Sequence, residues 1–254
     1  GNFKNDKFIG NTFCAIGNNT TTTVDWNAGG AIAVKGYIVN FTDVLFKNNK
    51  VDSKVTGTGS VAVGGAVLLD KTIAGTGGRN SAGTIANFIF NKDITYSGNT
   101  VTTESPSFTT RKDGGVAYTS GGFLFMDRCS TANFDVKKGV TFTLGILGDT
   151  DKNADTIASS MRSDSVADED GGHNTITKQG EGTFVVNSSL NDYNGYVDVQ
   201  AGTMKVNSHW KIRNSVTVSG GSLVLSSFEF SSVEGCYEDF LSATKASATD
   251  KGIG

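Results

Sequence analysis

A single proline, two histidines and three cysteines in 254 residues leave several kinds of chemistry with little to work with. Cys14, Cys129 and Cys236 lie more than a hundred residues apart and form no Cys-x-x-Cys, which excludes zinc ribbons and thioredoxin-type redox motifs. Three is odd, so at most one internal disulfide can form, and buried thiols acting as small hydrophobes are the plain expectation. His173 and His209 stand 36 residues apart, with no His-Glu-x-x-His, nucleophile elbow, phosphate-binding loop or dinucleotide fingerprint. No residue is therefore expected to be catalytic, none to bind a cofactor and none to hold a metal. Charged residues make up 19% of the chain and the net charge is -3. The 22 Lys and Arg are scattered, so no basic stripe exists to neutralise phosphates, and nucleic acid is not an expected partner. No run reaches the ~18 apolar residues of a membrane-spanning helix. No long stretch carries a helical apolar period either.

What the chain has instead is 33 glycines, with many Asn, Thr, Ser and Val. Thr, Val, Ile and Phe favour strands; Asn and Gly favour the turns between them. Two short patterns alternate. Gly29-Gly30-Ala31-Ile32, Gly64-Gly65-Ala66-Val67 and Gly114-Gly115-Val116-Ala117, the last closely followed by Gly121-Gly122-Phe123-Leu124, are glycine pairs that open apolar strands. Phe8-Ile9-Gly10-Asn11, Phe46-Lys47-Asn48-Asn49 and Tyr96-Ser97-Gly98-Asn99 place an aromatic three residues before Asn, at spacings of 38 and 50. A coil of parallel strands explains both. Gly-Gly turns a corner where a Cβ would clash, the following apolar residues point inward, and Asn ends a rung in a left-handed conformation. At ~20–25 residues per rung and ~4.8 Å between strands, the chain predicts about ten to twelve rungs and a rod of roughly 50 Å.

The two patterns together resemble the paired repeat of the polymorphic outer-membrane proteins, a group of autotransporter adhesins, over roughly residues 1–125. A second signature follows, from Ile176-Thr177-Lys178-Gln179-Gly180-Glu181-Gly182-Thr183 through Tyr193-Asn194-Gly195-Tyr196 to Ala201-Gly202-Thr203. It is similar to the autotransporter-associated β-strand repeat, whose successive strands form the sides of a coil. The resemblance implies a passenger region exported by type V secretion: an all-β, single-stranded right-handed parallel β-helix with irregular lateral loops, placed outside the cell or on a bacterial outer membrane. The solenoid is expected over 1–225, with 226–254 as a C-terminal strand, cap or tail. The start at Gly1 reads as that of a mature or excised piece.

The expected work is non-catalytic adhesion, with partners on a host or neighbouring cell, protein or glycan, gripped by loops on a rigid scaffold. The candidate loops are Thr20–Asp25, Gly75–Ser81, Glu104–Asp113 and Asp149–Gly172, the last an acidic stretch with no strand pattern. Trp26 and Trp210 have polar neighbours, which suits either a glycan contact or half-buried packing. Asp149, Asp151 and Asp155, or Asp164, Asp168, Glu169 and Asp170, have the oxygens for calcium but not the spacing of a known calcium loop. A solvated acidic loop is the simpler expectation. Sequons at Asn18, Asn19, Asn40 and Asn187 are expected by chance in so Asn-rich a chain. Two other classes are a subunit that assembles head to tail into a fibre, and a carbohydrate-active enzyme. The mark of the enzyme is three or more carboxylates converging on one concave face.

Overall fold

The computed structural model describes residues 1–19, 25–57, 60–70, 83–104, 108–110, 116–127, 129–151, 153–159, 174–190, 193–212 and 214–230. Among them there is no helix; every regular element is a strand. The first pass of the chain lays down β1 (Asn2–Lys4), β2 (Lys7–Ile9), β3 (Thr12–Asn19), β4 (Asp25–Ala28) and β5 (Ile32–Lys35). The second repeats the series as β6 (Ile38–Thr42), β7 (Leu45–Lys47), β8 (Lys50–Gly57), β9 (Ser60–Val63) and β10 (Val67–Asp70). The third comprises β11 (Ile85–Phe90), β12 (Ile94–Tyr96), β13 (Thr100–Thr103), β14 (Phe108–Thr110), β15 (Val116–Tyr118) and β16 (Leu124–Met126). The fourth keeps β17 (Thr131–Val136), β18 (Thr141–Leu144) and β19 (Ile157–Ser159). Three short passes follow: β20 (Thr175–Gln179) and β21 (Thr183–Val186); β22 (Tyr196–Val199) and β23 (Thr203–Ile212); β24 (Val216–Val218) and β25 (Ser222–Phe230). The last strand runs across residue 225, and 231–254 lie outside the described residues.

Apart from the antiparallel pair β14-β15, strands pair in parallel with their counterparts in neighbouring passes. The main sheet has the order β1-β6-β11-β17-β20-β22-β24, and a second runs β12-β18-β21-β23-β25. β2-β7 continues the second sheet through the Lys47–Ser97 bridge, and β5-β10-β16-β19 forms a third wall. The described residues thus make seven passes, against the ten to twelve expected of the chain, for a height of roughly 30 Å at ~4.8 Å per strand. The early passes each take about twice the expected length: side-chain bonds link Asn40 to Asn2, Asn87 to Asn40 and Asn133 to Asn87 at separations of 38, 47 and 46 residues. Those passes carry extra strands outside the three walls.

Alternating side chains build the interior. β11 and β17 bury every second residue, which stacks identical rings one above another. Phe3, Phe41, Phe88 and Phe134 form one column, with centroid separations of 5.5, 5.1 and 5.0 Å. Phe90, Phe142 and Phe184 form another, at 4.1 and 4.8 Å. Such offset pairs contribute about 0.5–1.5 kcal/mol each beyond their buried area. Trp210, the candidate glycan contact, belongs to this core at 2% exposure, because its position on β23 faces inward. The acidic stretch 149–172 is not one loop. Ile157, Ala158 and Ser159 are buried in the third wall as β19, where an Ile-Ala-Ser run too short to show periodicity pairs with Leu124–Met126.

Candidate functional site

The Gly-Gly pairs and the aromatic-x-x-Asn motifs turn out to be two sides of one neck. Gly29, Gly64 and Gly121 adopt φ of 72°, 63° and 77°, a region that L side chains resist. The second glycine of each pair is there for want of space. A Cβ on Gly30 would lie 2.0 Å from the Gly65 carbonyl oxygen, one on Gly65 2.3 Å from that of Gly122, and one on Gly122 2.1 Å from that of Asn153. Gly121-Gly122 is therefore the third member of the stack, and Gly114-Gly115 lie outside the described residues.

Facing the glycines is a buried amide ladder. Asn11 Nδ2 donates to Asn49 Oδ1 at 2.8 Å, Asn49 Nδ2 to Asn99 Oδ1 at 2.9 Å, and Asn99 Nδ2 to Asp155 Oδ1 at 2.8 Å. Asn49 and Asn99 are 0% exposed, so each bond satisfies a group that would otherwise be costly to bury. Asp155 ends the ladder. It is itself 0% exposed at φ 53°, and it also accepts the backbone N–H groups of Gly98 and Asn99. Burial pushes its carboxyl above the usual carboxylate range; these bonds oppose the rise, and the nearby Asp149 charge adds to it. A carboxylate that seemed available to calcium is thus occupied within the fold.

The two motifs touch. The Cβ positions of Gly30, Gly65 and Gly122 also come within 2.6 Å of the Lys50 oxygen, 2.3 Å of the Thr100 oxygen and 2.5 Å of the Asn99 oxygen. The chain leaves the interior after Asn and re-enters at Gly-Gly, and the described residues between are held outside. Those of 12–28, 50–63 and 100–120 form this lateral arm. One layer is β3-β8-β13; the other is β4-β9, extended by the Val63–Ser120 bridge; β14 and β15 pair as an antiparallel hairpin. Val51, Ala62 and Val101 make a small core between the layers. Val61 and Val63 pack with Phe125 and Ala158 on the outer face of the third wall.

Two of the four candidate loops fall on this arm. Thr20–Asp25 joins β3 to β4, and Glu104–Asp113 lies between β13 and β15, with residues 20–24, 105–107 and 111–113 outside the described set. Gly75–Ser81, residues 160–172 (with Asp164, Asp168, Glu169 and Asp170), His173 and Cys236 also lie outside it. Trp26 sits on β4, and Asn18 and Asn19 on β3. Cys14 is an exposed free thiol on the arm, contrary to the expectation of burial, because β3 is an edge strand of its layer; Cys129 is partly covered. Asn40 and Asn187 have their side chains engaged in ladders, Asn40 with Asn2 and Asn87, Asn187 with Gly145 and Asn207.

A second feature opens on the other side of the acidic segment. Gly145, Ile146, Asp149, Asp151 and Ala154 face Asn187, Ser188, Ser189, Ser208 and His209 across a cleft of about 320 Å³. Asp149 Oδ1 accepts the Asp151 N–H at 2.9 Å, and Asp151 Oδ1 accepts the Asn153 N–H at 2.9 Å, so both carboxylates are fixed by tight turns. On the far wall β23 contains a bulge. Val206 pairs with Leu225 but His209 with Ser227, which leaves Asn207 and Ser208 opposite one residue. The extra residue places Ser208 and His209 at the cleft; His209 Nδ1 lies 3.0 Å from Ser227 Oγ, and Ser208 donates to the Ser188 carbonyl. Among the described residues no three His, Cys, Asp or Glu side chains gather closely enough to hold a metal ion. The bulge had no signal in the sequence. The cleft joins a candidate acidic segment to a histidine 58 residues away in the chain. No protein-family model, curated protein or solved structure matches the chain.

Proposed function

We propose that the chain is the passenger, or part of the passenger, of an autotransporter-like surface protein, and that it adheres through loops carried on a rigid scaffold. On this reading the parallel stack is a single-stranded right-handed β-helix. Parallel strands joined by a crossover within one sheet are right-handed in ~98% of cases, which supports the hand. The observation that carries the function is the neck. Three successive Gly-Gly corners and the Asn11-Asn49-Asn99-Asp155 ladder are spent on holding a two-layer arm away from the interior. A closed barrel-like core has no need of that arm, whereas a scaffold that presents loops does.

Beads coated with the intact protein test the reading against a panel of bacterial and eukaryotic cells. Adhesion to at least one cell type is expected. It should fall at least severalfold when the exposed arm residues Ile16 and Glu104 are replaced together (Ile16→Asp, Glu104→Lys), with the melting point unchanged. Coated beads that adhere to nothing, or adhesion indifferent to the arm, would refute it.

A further inference from the structure

We infer that the cleft between the 145–154 segment and the β23 bulge is a binding site for an uncharged saccharide. The inference rests on the surface-protein reading and names the chemistry of one partner, but it stands on the cleft and not on the arm.

Seven of the ten lining residues carry polar side chains, set among apolar surface, and their hydrogen-bonding groups are spread around the space. Asp149 and Asp151 each commit one carboxylate oxygen to a turn N–H, and no ion pair of either is present among the described residues. Both side chains are exposed, so the second oxygens are open acceptors. Opposite them stand the hydroxyls of Ser188 and Ser208, the Asn187 amide and the His209 imidazole. Ser188 is 8% exposed, and its Oγ is buried without a partner, which the fold leaves as an uncompensated polar group beside the cleft. Ile146 and Ala154 supply an apolar flank.

Dispersion of the groups selects the ligand class. A bare cation would need three ligating side chains at one point, and the described residues do not converge that way. A polyol meets each group separately: its hydroxyls donate to the two carboxylates in charge-assisted bonds and exchange bonds with the serines and the amide, while its C–H face rests on Ile146. Two carboxylates in one wall repel an anionic sugar, so the ligand is neutral. The volume stands at the lower end of small-molecule sites, which fits one or two rings. The floor has little tolerance for bulk. A Cβ on Gly145 would sit 3.1 Å from the Ser188 Cβ, and the φ of 81° there already disfavours any side chain.

Calorimetric titration of the intact 254-residue protein tests this, with glucose, galactose, mannose, N-acetylglucosamine and their disaccharides as probes and glucuronate as the anionic control. At least one neutral sugar should bind. The double variant Asp149→Asn, Asp151→Asn keeps the turn acceptors but loses both charges, and it should bind about tenfold more weakly or worse. Its melting point, measured alongside, should match the parent. His209→Ala, also at an exposed position, should weaken binding without changing the fold. Glucuronate should not bind. The inference fails if no neutral sugar binds at roughly 20 mM, if the double variant binds as the parent does, or if glucuronate binds as well as its neutral counterpart. Cell adhesion through the arm would survive any of those results, so the two readings fail separately.

Discussion

The first four passes and the last three are built on the same strand order at different cost in chain. Side-chain ladders advance 38 to 56 residues per pass in the first region and 20 to 21 in the second, as between Asn187 and Asn207 or Gln179 and Gln200. The long passes have a third wall and columns of Phe, and the first three carry the arm. In the short passes the described residues add no strand to that wall after β19, and Leu190 and Tyr193 are buried in the core alongside them. The Phe column also ends. In register after Phe134 comes Lys178, and after it Val199. Lys178 is 0% exposed, and its Nζ donates to the carbonyls of Gln179, Gly180 and Ala201 at 2.7, 2.7 and 3.0 Å. Its stem continues the column while its ammonium caps the corner. In the short passes Val, Met and the stem of a lysine replace the Phe column of the main sheet, with Phe184, Tyr193 and Trp210 as the remaining buried rings.

The sharpest way to break this comparison is to empty the long passes. Phe88 lies between Phe41 and Phe134 and touches Phe123 at 5.7 Å. Phe88→Ala should lose about 3–5 kcal/mol in urea unfolding, the range for a buried ring. Val206→Ala in the short passes should lose less, about 1.5–3 kcal/mol for its smaller buried side chain. Equal losses would mean that the aromatic columns do not carry the long passes.

Next in size is the neck. Asn99→Ala removes the bonds to Asp155 and to the Phe46 carbonyl and takes away the acceptor of two Asn49 donors. Orphaned buried groups cost ~1–3 kcal/mol each, so a loss of about 2–3 kcal/mol is expected. Asn87→Ala on the outer ladder, where solvent can replace the lost bonds, should cost under ~1 kcal/mol. The two ladders look identical as sequence, and thermal melts of this pair of variants separate the buried one from the exposed one.

That contrast shows what could be read beforehand. Strand content followed from the composition, and parallel stacking from the alternation of the Gly-Gly and aromatic-x-x-Asn motifs. The Gly-Gly and aromatic-x-x-Asn motifs were visible as a pair, but not as the two sides of one neck, because contact between Asn99 and Gly122 depends on where residues 100–120 go. The number of passes was overestimated because the arm consumes chain without adding height. Asp155 was misread for a similar reason. An Asp in an acidic run reads as solvated, and only the register of the fourth pass puts it at the end of an Asn ladder. Trp210 was ambiguous because a polar neighbour on each side is what strand alternation gives to any buried residue. The cleft was out of reach, since a bulge in β23 leaves no mark in composition.

Lys178 gives a smaller effect with a defined sign. Burial pushes its pKa down from 10.5 to about 8, opposed by the Asp135 charge. Between those values the unfolded chain holds a proton that the folded one has released, so stability rises with pH there and is flat below about 8. The slope is at most about 1.4 kcal/mol per pH unit. The buried tyrosines Tyr96 and Tyr193, pushed well above 10, contribute only above roughly pH 9.5. From pH 8 to 9.5 the urea midpoint of the parent should therefore climb relative to that of Lys178→Met. Parallel curves would mean that Lys178 keeps its proton, and that the short passes contain a fixed charge at their corner.

The smallest expected effect is none. Asp149 is exposed, and its turn bond uses an oxygen that Asn retains, so Asp149→Asn should leave the stability within about 0.5 kcal/mol of the parent and the melting point unchanged. EDTA should leave it unchanged as well. Asp155, the carboxylate of this segment with the most to hold, already accepts three N–H groups, and a structural metal would couple strongly to folding. Asp149 and Asp155 are six residues apart in one acidic run, yet one belongs to the surface and the other to the neck. Replacing Asp155 with Asn should show it: the amide would turn a donor toward the Gly98 N–H, and the cost should approach that of losing Asn99 itself. A melting point that falls on chelation and recovers with calcium would place a cation between these two aspartates, and the neck would then be a metal-held joint instead of an amide ladder closed by a buried carboxylate.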